Sequence, residues 1–162
     1  MPTEIERKFL VNDLGCIRRA KSRVIRQGYL PTSSKMSFRV RLKGEKAFLT
    51  LKGPRKGAVR TEFEYAIPVQ DADAMLAKFC RKPLIEKVHY KVSYRGITWV
   101  IDVFKGDNEG LILAEVELES ENQAIPLPPW VGEEVTHDNA YYNVNLAKHP
   151  YKKWGQNISK KN

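Results

Sequence analysis

The sequence predicts a mainly β fold: an eight-stranded antiparallel sheet closed into a barrel, with a few helices outside it. Three observations carry this. Runs that alternate apolar and polar residues, or are rich in β-formers, occur near residues 2–11, 23–31, 36–43, 46–53, 60–68, 83–94, 97–104 and 110–119. Lys43-Gly44-Glu45 and Arg95-Gly96 have the composition of hairpin turns between neighbouring runs. Eight strands joined mostly by short turns make an antiparallel meander, and that number suits closure into a barrel.

Side chains alternate across a strand, so residues two apart share a face. In the first run Glu4, Glu6 and Lys8 share a face, with Ile5 opposite. In the third, Arg39 and Arg41 oppose Phe38, Val40 and Leu42; in the fourth, Phe48, Thr50 and Lys52 oppose Leu49 and Leu51. Glu62 and Glu64 oppose Phe63 and Tyr65. Lys87, His89 and Lys91 oppose Val88, Tyr90 and Val92. Asp102 opposes Ile101 and Val103, and Glu115, Glu117 and Glu119 oppose Val116 and Leu118.

Helical pattern is limited. Asp71 to Cys80 opens with acids and places Met75, Leu76 and Phe79 on one face. Asp13 to Ala20 and Asn139 to Lys148 are shorter candidates, the latter stopped by Pro150. The expected organisation is one domain over residues 2–150 followed by a basic tail, 151–162. From Lys152 onward, with Lys153, Lys160 and Lys161, that tail reads as flexible, solvent-facing chain.

Composition narrows the function. The 162 residues suit one domain and are enough to bury a core without staples. Lys plus Arg is 28 and Asp plus Glu 19, a balance of 28 − 19 = +9, which calls for an anionic partner. No apolar run approaches the ~18–20 residues of a membrane span. The charged opening is unlike a secretory signal, so a cytoplasmic location is expected. Cys16 and Cys80 match no metal or redox spacing, and three scattered histidines make a zinc site a poor expectation.

The charge signs are segregated by strand, whereas a surface built for solubility mixes them locally. On closure, one face becomes a lumen lined by bases and carboxylates, costly when empty because like charges repel and desolvation is unfavourable. A ligand of high charge density offsets that cost. Bases alone would bind a phosphate chain. The carboxylates fit Mg²⁺ or Mn²⁺, hard cations that take oxygen ligands and bridge to phosphates.

The string Glu4-Ile5-Glu6-Arg7-Lys8-Phe9-Leu10-Val11 resembles the ExExK opening strand of the CYTH domain, the family also called triphosphate tunnel metalloenzymes. Arg39-x-Arg41, Lys52, Glu62-x-Glu64, Glu86-Lys87, Asp102 and Glu115-x-Glu117-x-Glu119 follow in the family's order. Glu134-Val135-Thr136 to Tyr142-Asn143-Val144-Asn145-Leu146-Ala147 resembles the end of its short bacterial members. The likeness spans roughly residues 2–150.

The resemblance implies a triphosphate tunnel using one or two divalent cations, Mg²⁺ or Mn²⁺. Glu4, Glu6 and Glu117 match its metal-holding positions. Lys8, Arg39, Arg41, Lys52 and Lys87 match the bases that grip phosphate, and His89 and Lys91 share the Lys87 face and join that set. Glu62, Glu64, Asp102 and Glu115 match carboxylates that hold a second metal or orient the attacking water; Asp102 and Glu115 are assigned to metal, Glu62 and Glu64 to catalysis. Tyr29 also matches a family position, where a nearby Lys87 would lower its phenol pKa and let it assist proton removal. His89 stands where such members often carry Arg, which implies either a tolerated replacement of little consequence or a weaker, pH-dependent phosphate contact.

The activity implied is hydrolysis of the terminal phosphate of inorganic tripolyphosphate. Adenylate cyclase, or hydrolysis of a thiamine or nucleoside triphosphate, is the alternative within the family. Outside it stands a non-catalytic binder of polyphosphate or RNA, for which Trp99, Trp130 and Trp154 could stack on bases. Trp99 lies on the apolar face of its strand, however, and lumen acids would repel a nucleic-acid backbone. The partner expected is thus a small triphosphate, not nucleic acid or membrane, with a second copy of the chain as a possible partner.

Overall fold

A computed structural model describes residues 3–159 and shows a closed eight-stranded antiparallel barrel. Its strands are β1 (Thr3–Val11), β2 (Ser22–Leu30), β3 (Ser37–Lys43), β4 (Lys46–Lys52), β5 (Val59–Ile67), β6 (Ile85–Tyr94), β7 (Ile97–Phe104) and β8 (Ile112–Glu117). The order runs β5-β4-β3-β2-β6-β7-β8-β1, and β1 closes the ring on β5 by pairing Thr3, Glu4 and Ile5 with Thr61, Arg60 and Val59. Both hairpin turns form where expected. At Arg95-Gly96 both residues take positive φ, 49° and 79°, the geometry a two-residue turn needs to follow strand twist.

A ninth strand, β9 (Val131–Glu134), was not foreseen. It pairs with the far half of β1, beyond the β5 contact. Four residues after a proline-rich stretch carry too little alternation to read as a strand.

The barrel wall is lined differently along its length. The inward faces of β1, β6, β7 and β8 carry Lys8, Lys87, Asp102 and Glu115 at mid-barrel. Two residues further along the same faces they turn apolar, at Leu10, Ile85, Phe104 and Leu113. These pack with Tyr29, Leu146 and Ala147 and stopper that end of the barrel. Leu146 and Ala147 belong to α2 (Asn143–Lys148).

Two other apolar clusters lie outside the wall. Phe9, Trp99, Ile101, Ala114 and Val116 are covered by Cys16, Ile17 and Trp130. Val40 and Ala47 are covered by α1 (Val69–Lys78) through Ala72 and Leu76. Phe79, expected on the buried face of α1, instead caps it and is 60% exposed. Among the described residues no helix is long and apolar enough to cross a membrane.

The expectation of a flexible tail fails over its first part. Residues Tyr151–Ser159 form α3, and Tyr151 and Trp154 pack against the apolar stopper, Trp154 edge-on to Tyr141 at 5.2 Å. The two aromatics are three apart, one face of a helix, and their burial outweighs the charge of Lys152 and Lys153. Lys160 and Lys161 lie outside the described residues.

Candidate active site

A cavity of about 170 Å³ runs into the barrel, lined by seven Lys or Arg side chains and six carboxylates. Strand alternation brings most of them together. β1 supplies Glu4, Glu6 and Lys8; β3 Arg39 and Arg41; β4 Lys52; β5 Glu62 and Glu64; β6 Lys87 and His89; β7 and β8 Asp102 and Glu115. Every member of the sequence-derived set except Glu117 and Lys91 lines it.

Those two lie on the expected face but past the cavity's edge. Each stands two residues, about 6.6 Å, beyond a lining residue of its strand. Glu117, opposite Glu6 in register, is exposed in a groove with Glu4 and Glu62. Lys91 lines a concavity outside the cavity with Arg41, Glu64 and His89. The lumen placement expected of both is corrected accordingly.

The bases and acids neutralise each other. Lys52 Nζ donates to both oxygens of Glu4 at 3.0 and 3.1 Å, and Arg55 donates to Glu6 at 3.2 Å. Lys8 lies 3.3 Å from Glu115. Lys87 donates to Asp102 Oδ2 at 2.7 Å, while Asp102 Oδ1 meets His89 Nδ1 at 2.8 Å. Arg39 and Thr50 both donate to Glu64. Arg41 differs: its Nε donates to Gln27 Oε1 at 2.8 Å, and among the described residues it has no carboxylate partner.

Burial and charge set the protonation tendencies. Burial, then Glu115 and Glu4, push the Glu6 carboxyl up. Burial also raises Glu4, more than Lys52 offsets, and the Glu62 carboxyl beside it adds to the rise. Glu117 is raised by desolvation and then by Glu4 and Glu6. Burial would raise Glu115 and Asp102 too, but Lys8 holds Glu115 down at about 2, and Lys87 with His89 holds Asp102 well below the aspartate range. Burial and the neighbouring Arg39 lower Arg41 to about 10.

Tyr29 departs from its expected role. Its hydroxyl accepts a hydrogen bond from Gln27 Nε2 at 3.1 Å, and burial pushes the phenol pKa up despite Arg39 and Arg41 nearby. Desolvation of the phenolate outweighs the cations.

Seven lining residues escaped the sequence reading, among them Arg60, Arg55, Tyr142 and Asn143. Arg60 sits on the face of β5 that carries Glu62 and Glu64, so alternation could have found it. Arg55 comes from the β4–β5 loop and Tyr142 and Asn143 from the start of α2, where strand period has no meaning. Arg55 stacks on the Tyr142 ring at 4.4 Å, and Asn143 Oδ1 accepts from Lys87 at 3.3 Å. Arg39 and Arg55 each bury an Nε–H with no acceptor among the described residues. Such orphans cost about 1–3 kcal/mol each.

The arrangement can take an acceptor-rich anion and a hard cation at once. Glu62 raises the Glu4 carboxyl, Glu4 raises Glu6, and Glu4 and Glu6 together raise Glu117; an oxygen-ligated divalent ion would relieve that repulsion. Their donor chemistry fits, although among the described residues no three such groups already converge on one point. Lys52 and Arg55 supply the positive charge there instead.

Comparison with known proteins gives one consistent answer. The CYTH domain model matches residues 2–151. The chain is 47% identical to the inorganic triphosphatase of Acetivibrio thermocellus over 152 residues, 94% of this chain and 97% of that one. It is 40% identical to the inorganic triphosphatase of Nitrosomonas europaea, covering 90% and 97%. A crystal structure of the inorganic triphosphatase NE1496 superposes with a TM-score of 0.66 at 39% identity, covering 89% and 97%.

Proposed function

The chain belongs to the CYTH domain family, and on that premise we propose that it is a divalent-metal-dependent triphosphatase splitting inorganic tripolyphosphate into diphosphate and phosphate inside the barrel. The observation that carries this reading is the buried, charge-balanced cavity, with two guanidinium Nε–H groups waiting for acceptors. Its 170 Å³ lies below the ~300–1,000 Å³ of pockets that enclose drug-sized organic ligands, which favours an inorganic chain over a nucleoside. The name borne by both curated relatives supports the same choice.

In this reading Lys8, Arg39, Arg41, Lys52, Lys87 and His89 bind phosphoryl oxygens, and Arg55 and Arg60 join them. Glu4, Glu6 and Glu117 would hold a divalent cation, Mg²⁺ or Mn²⁺, with Asp102 and Glu115 available to a second. Bound there, such an ion neutralises phosphate charge and eases in-line displacement. Glu62 and Glu64 orient the attacking water at the open side of the cavity. Lys87, fixed by Asp102 and Asn143, presents its ammonium to the charge that develops on the transferring group. Tyr29 keeps its proton and positions Gln27, which in turn holds Arg41.

The test is phosphate release from tripolyphosphate, ATP and thiamine triphosphate with Mg²⁺, Mn²⁺ or EDTA, with cyclic AMP measured in parallel. The expected result is metal-dependent release, fastest from tripolyphosphate, and no cyclic AMP. Cyclic AMP from ATP, or binding without any phosphate release, overturns it.

A further inference from the structure

Inside the cavity five of the seven Lys or Arg side chains, all but Arg41 and Arg60, have a carboxylate partner among the described residues. Just outside, that balance ends. A concavity of about 640 Å³ opens beside the β3–β4 turn and shares Arg41, Glu64 and His89 with the cavity. Around it stand Lys21, Arg23, Lys43, Lys46 and Lys91, and among the described residues none of the five makes an ion pair. Glu45 is the acid they share locally, since Glu64 is engaged by Arg39.

We propose that this basic concavity is a metal-independent docking site for condensed phosphate, which holds the anion before it enters the cavity. The site rests on the triphosphatase reading for its ligand, but its residues lie outside the machinery proposed above except for Arg41, Glu64 and His89, which the two spaces share.

Three features support it. The strands impose the clustering: Lys43 and Lys46 are paired across the hairpin, and Lys91 N–H bonds to Lys21 O, so these cations cannot disperse without breaking the barrel edge. They repel one another as they stand: burial and then Arg41 and Lys91 lower the Lys43 pKa. Entry is also cheaper here than in the cavity. An anion docking outside displaces no carboxylate, whereas inside it must part Lys52 from Glu4 or Arg55 from Glu6. Arg41, which has no acid of its own, connects the two spaces. A cluster of one sign in a concave, low-dielectric setting raises the local anion concentration and the association rate, and salt weakens both.

A second set of cations provides the control. Lys35, Arg81 and Lys148 line another concavity, which shares no residue with the basic one but meets the cavity at Arg55, Arg60 and Tyr142, and they also make no ion pair among the described residues. Lys43→Glu/Lys46→Glu and Lys35→Glu/Lys148→Glu change net charge equally.

The experiment measures binding of inorganic tripolyphosphate in EDTA at low and high salt, then hydrolysis with divalent metal. The docking variant is expected to bind at least tenfold more weakly at low salt, with a shallower salt dependence. Its loss in turnover falls on kcat/KM more than on kcat. Lys43→Gln/Lys46→Gln should fall between it and wild type, which guards against a folding artefact of charge reversal. The control variant should stay within threefold of wild type. Equal losses in both double variants, or no loss in the docking variant, overturn the proposal. So does a short single-stranded RNA that competes more strongly than tripolyphosphate. Should wild type release no phosphate while the binding pattern holds, the triphosphatase reading fails and the anion site stands.

Discussion

Arg55 and Glu6 form an ion pair at 3.2 Å across the cavity, and the same guanidinium lies 4.4 Å over the ring of Tyr142. Lys52 and Glu4 are joined in the same way at 3.0 Å. A triphosphate alone would draw the cations away and leave two raised, desolvated carboxylates uncompensated. A divalent cation alone would take the carboxylates and leave the bases so. Together they re-pair all four, because breaking one partner from a buried pair is what costs most. Metal and triphosphate binding should therefore strengthen each other.

Glu6→Gln tests that exchange with two effects of opposite sign. Divalent-dependent hydrolysis should fall by at least two orders of magnitude, because a carboxylate proposed to hold the metal is lost. Binding of tripolyphosphate in EDTA should tighten about tenfold, since Arg55 is released to a charge-assisted hydrogen bond worth about 1.5–3 kcal/mol. Calorimetry in EDTA reads the second effect; weaker binding than wild type there refutes the exchange.

Arg41→Ala should separate activity from stability. Burial and Arg39 disfavour its charge in the free protein, so removing it costs the fold mainly the donor to buried Gln27 Oε1, about 1–3 kcal/mol. Its loss at the phosphate should cost about 2–4 kcal/mol in kcat/KM. A lower melting temperature with unchanged kinetics per folded molecule would assign Arg41 to structure instead.

Asp102→Asn removes the charge that buried Lys87 faces and leaves one acceptor oxygen where Lys87 and His89 now use two. At pH 7 the variant should be less stable by about 3–5 kcal/mol. Asp102 is held below its ordinary value, so its stabilisation is present above ~3.9, the unfolded pKa, and drains away as pH falls. The gap to wild type should narrow by about 1.4 kcal/mol per pH unit below 4. Denaturant unfolding at pH 7 and pH 3 measures it, and a constant gap contradicts the ion-pair assignment.

His89→Arg asks whether this position touches phosphate or only Asp102, whose Oδ1 it meets at 2.8 Å. A guanidinium can bond two phosphate oxygens at once, so at saturating metal the variant's KM for tripolyphosphate should fall several-fold. An unchanged KM would mean that His89 serves Asp102 rather than the phosphates.

The barrel was legible because alternation is strong wherever one strand face is charged, as in Glu4-Ile5-Glu6 or Arg39-Val40-Arg41. The same rule placed fifteen charged or titratable side chains on the polar strand faces but said nothing of where along the barrel the cavity ends, so Lys91 and Glu117 read like Lys87 and Glu115. Period also hides the switch from charged to apolar lining at Leu10, Ile85, Phe104 and Leu113, which looks like loss of pattern rather than a stopper. Arg55 and Asn143 reach the site from a loop and a helix start, set by tertiary packing alone. Tyr29 misled for a physical reason: proximity to cations was legible, burial was not.

In the proposed reaction water attacks the terminal phosphorus of tripolyphosphate inside the charged barrel. Phosphorus-31 NMR of the products formed in ¹⁸O-labelled water with divalent metal reads this directly. Such attack gives one diphosphate and one phosphate per substrate, with the label in the phosphate and no products in EDTA. Label in the diphosphate would mean attack at the central phosphorus, and no metal-dependent products at all would contradict the assignment of the site.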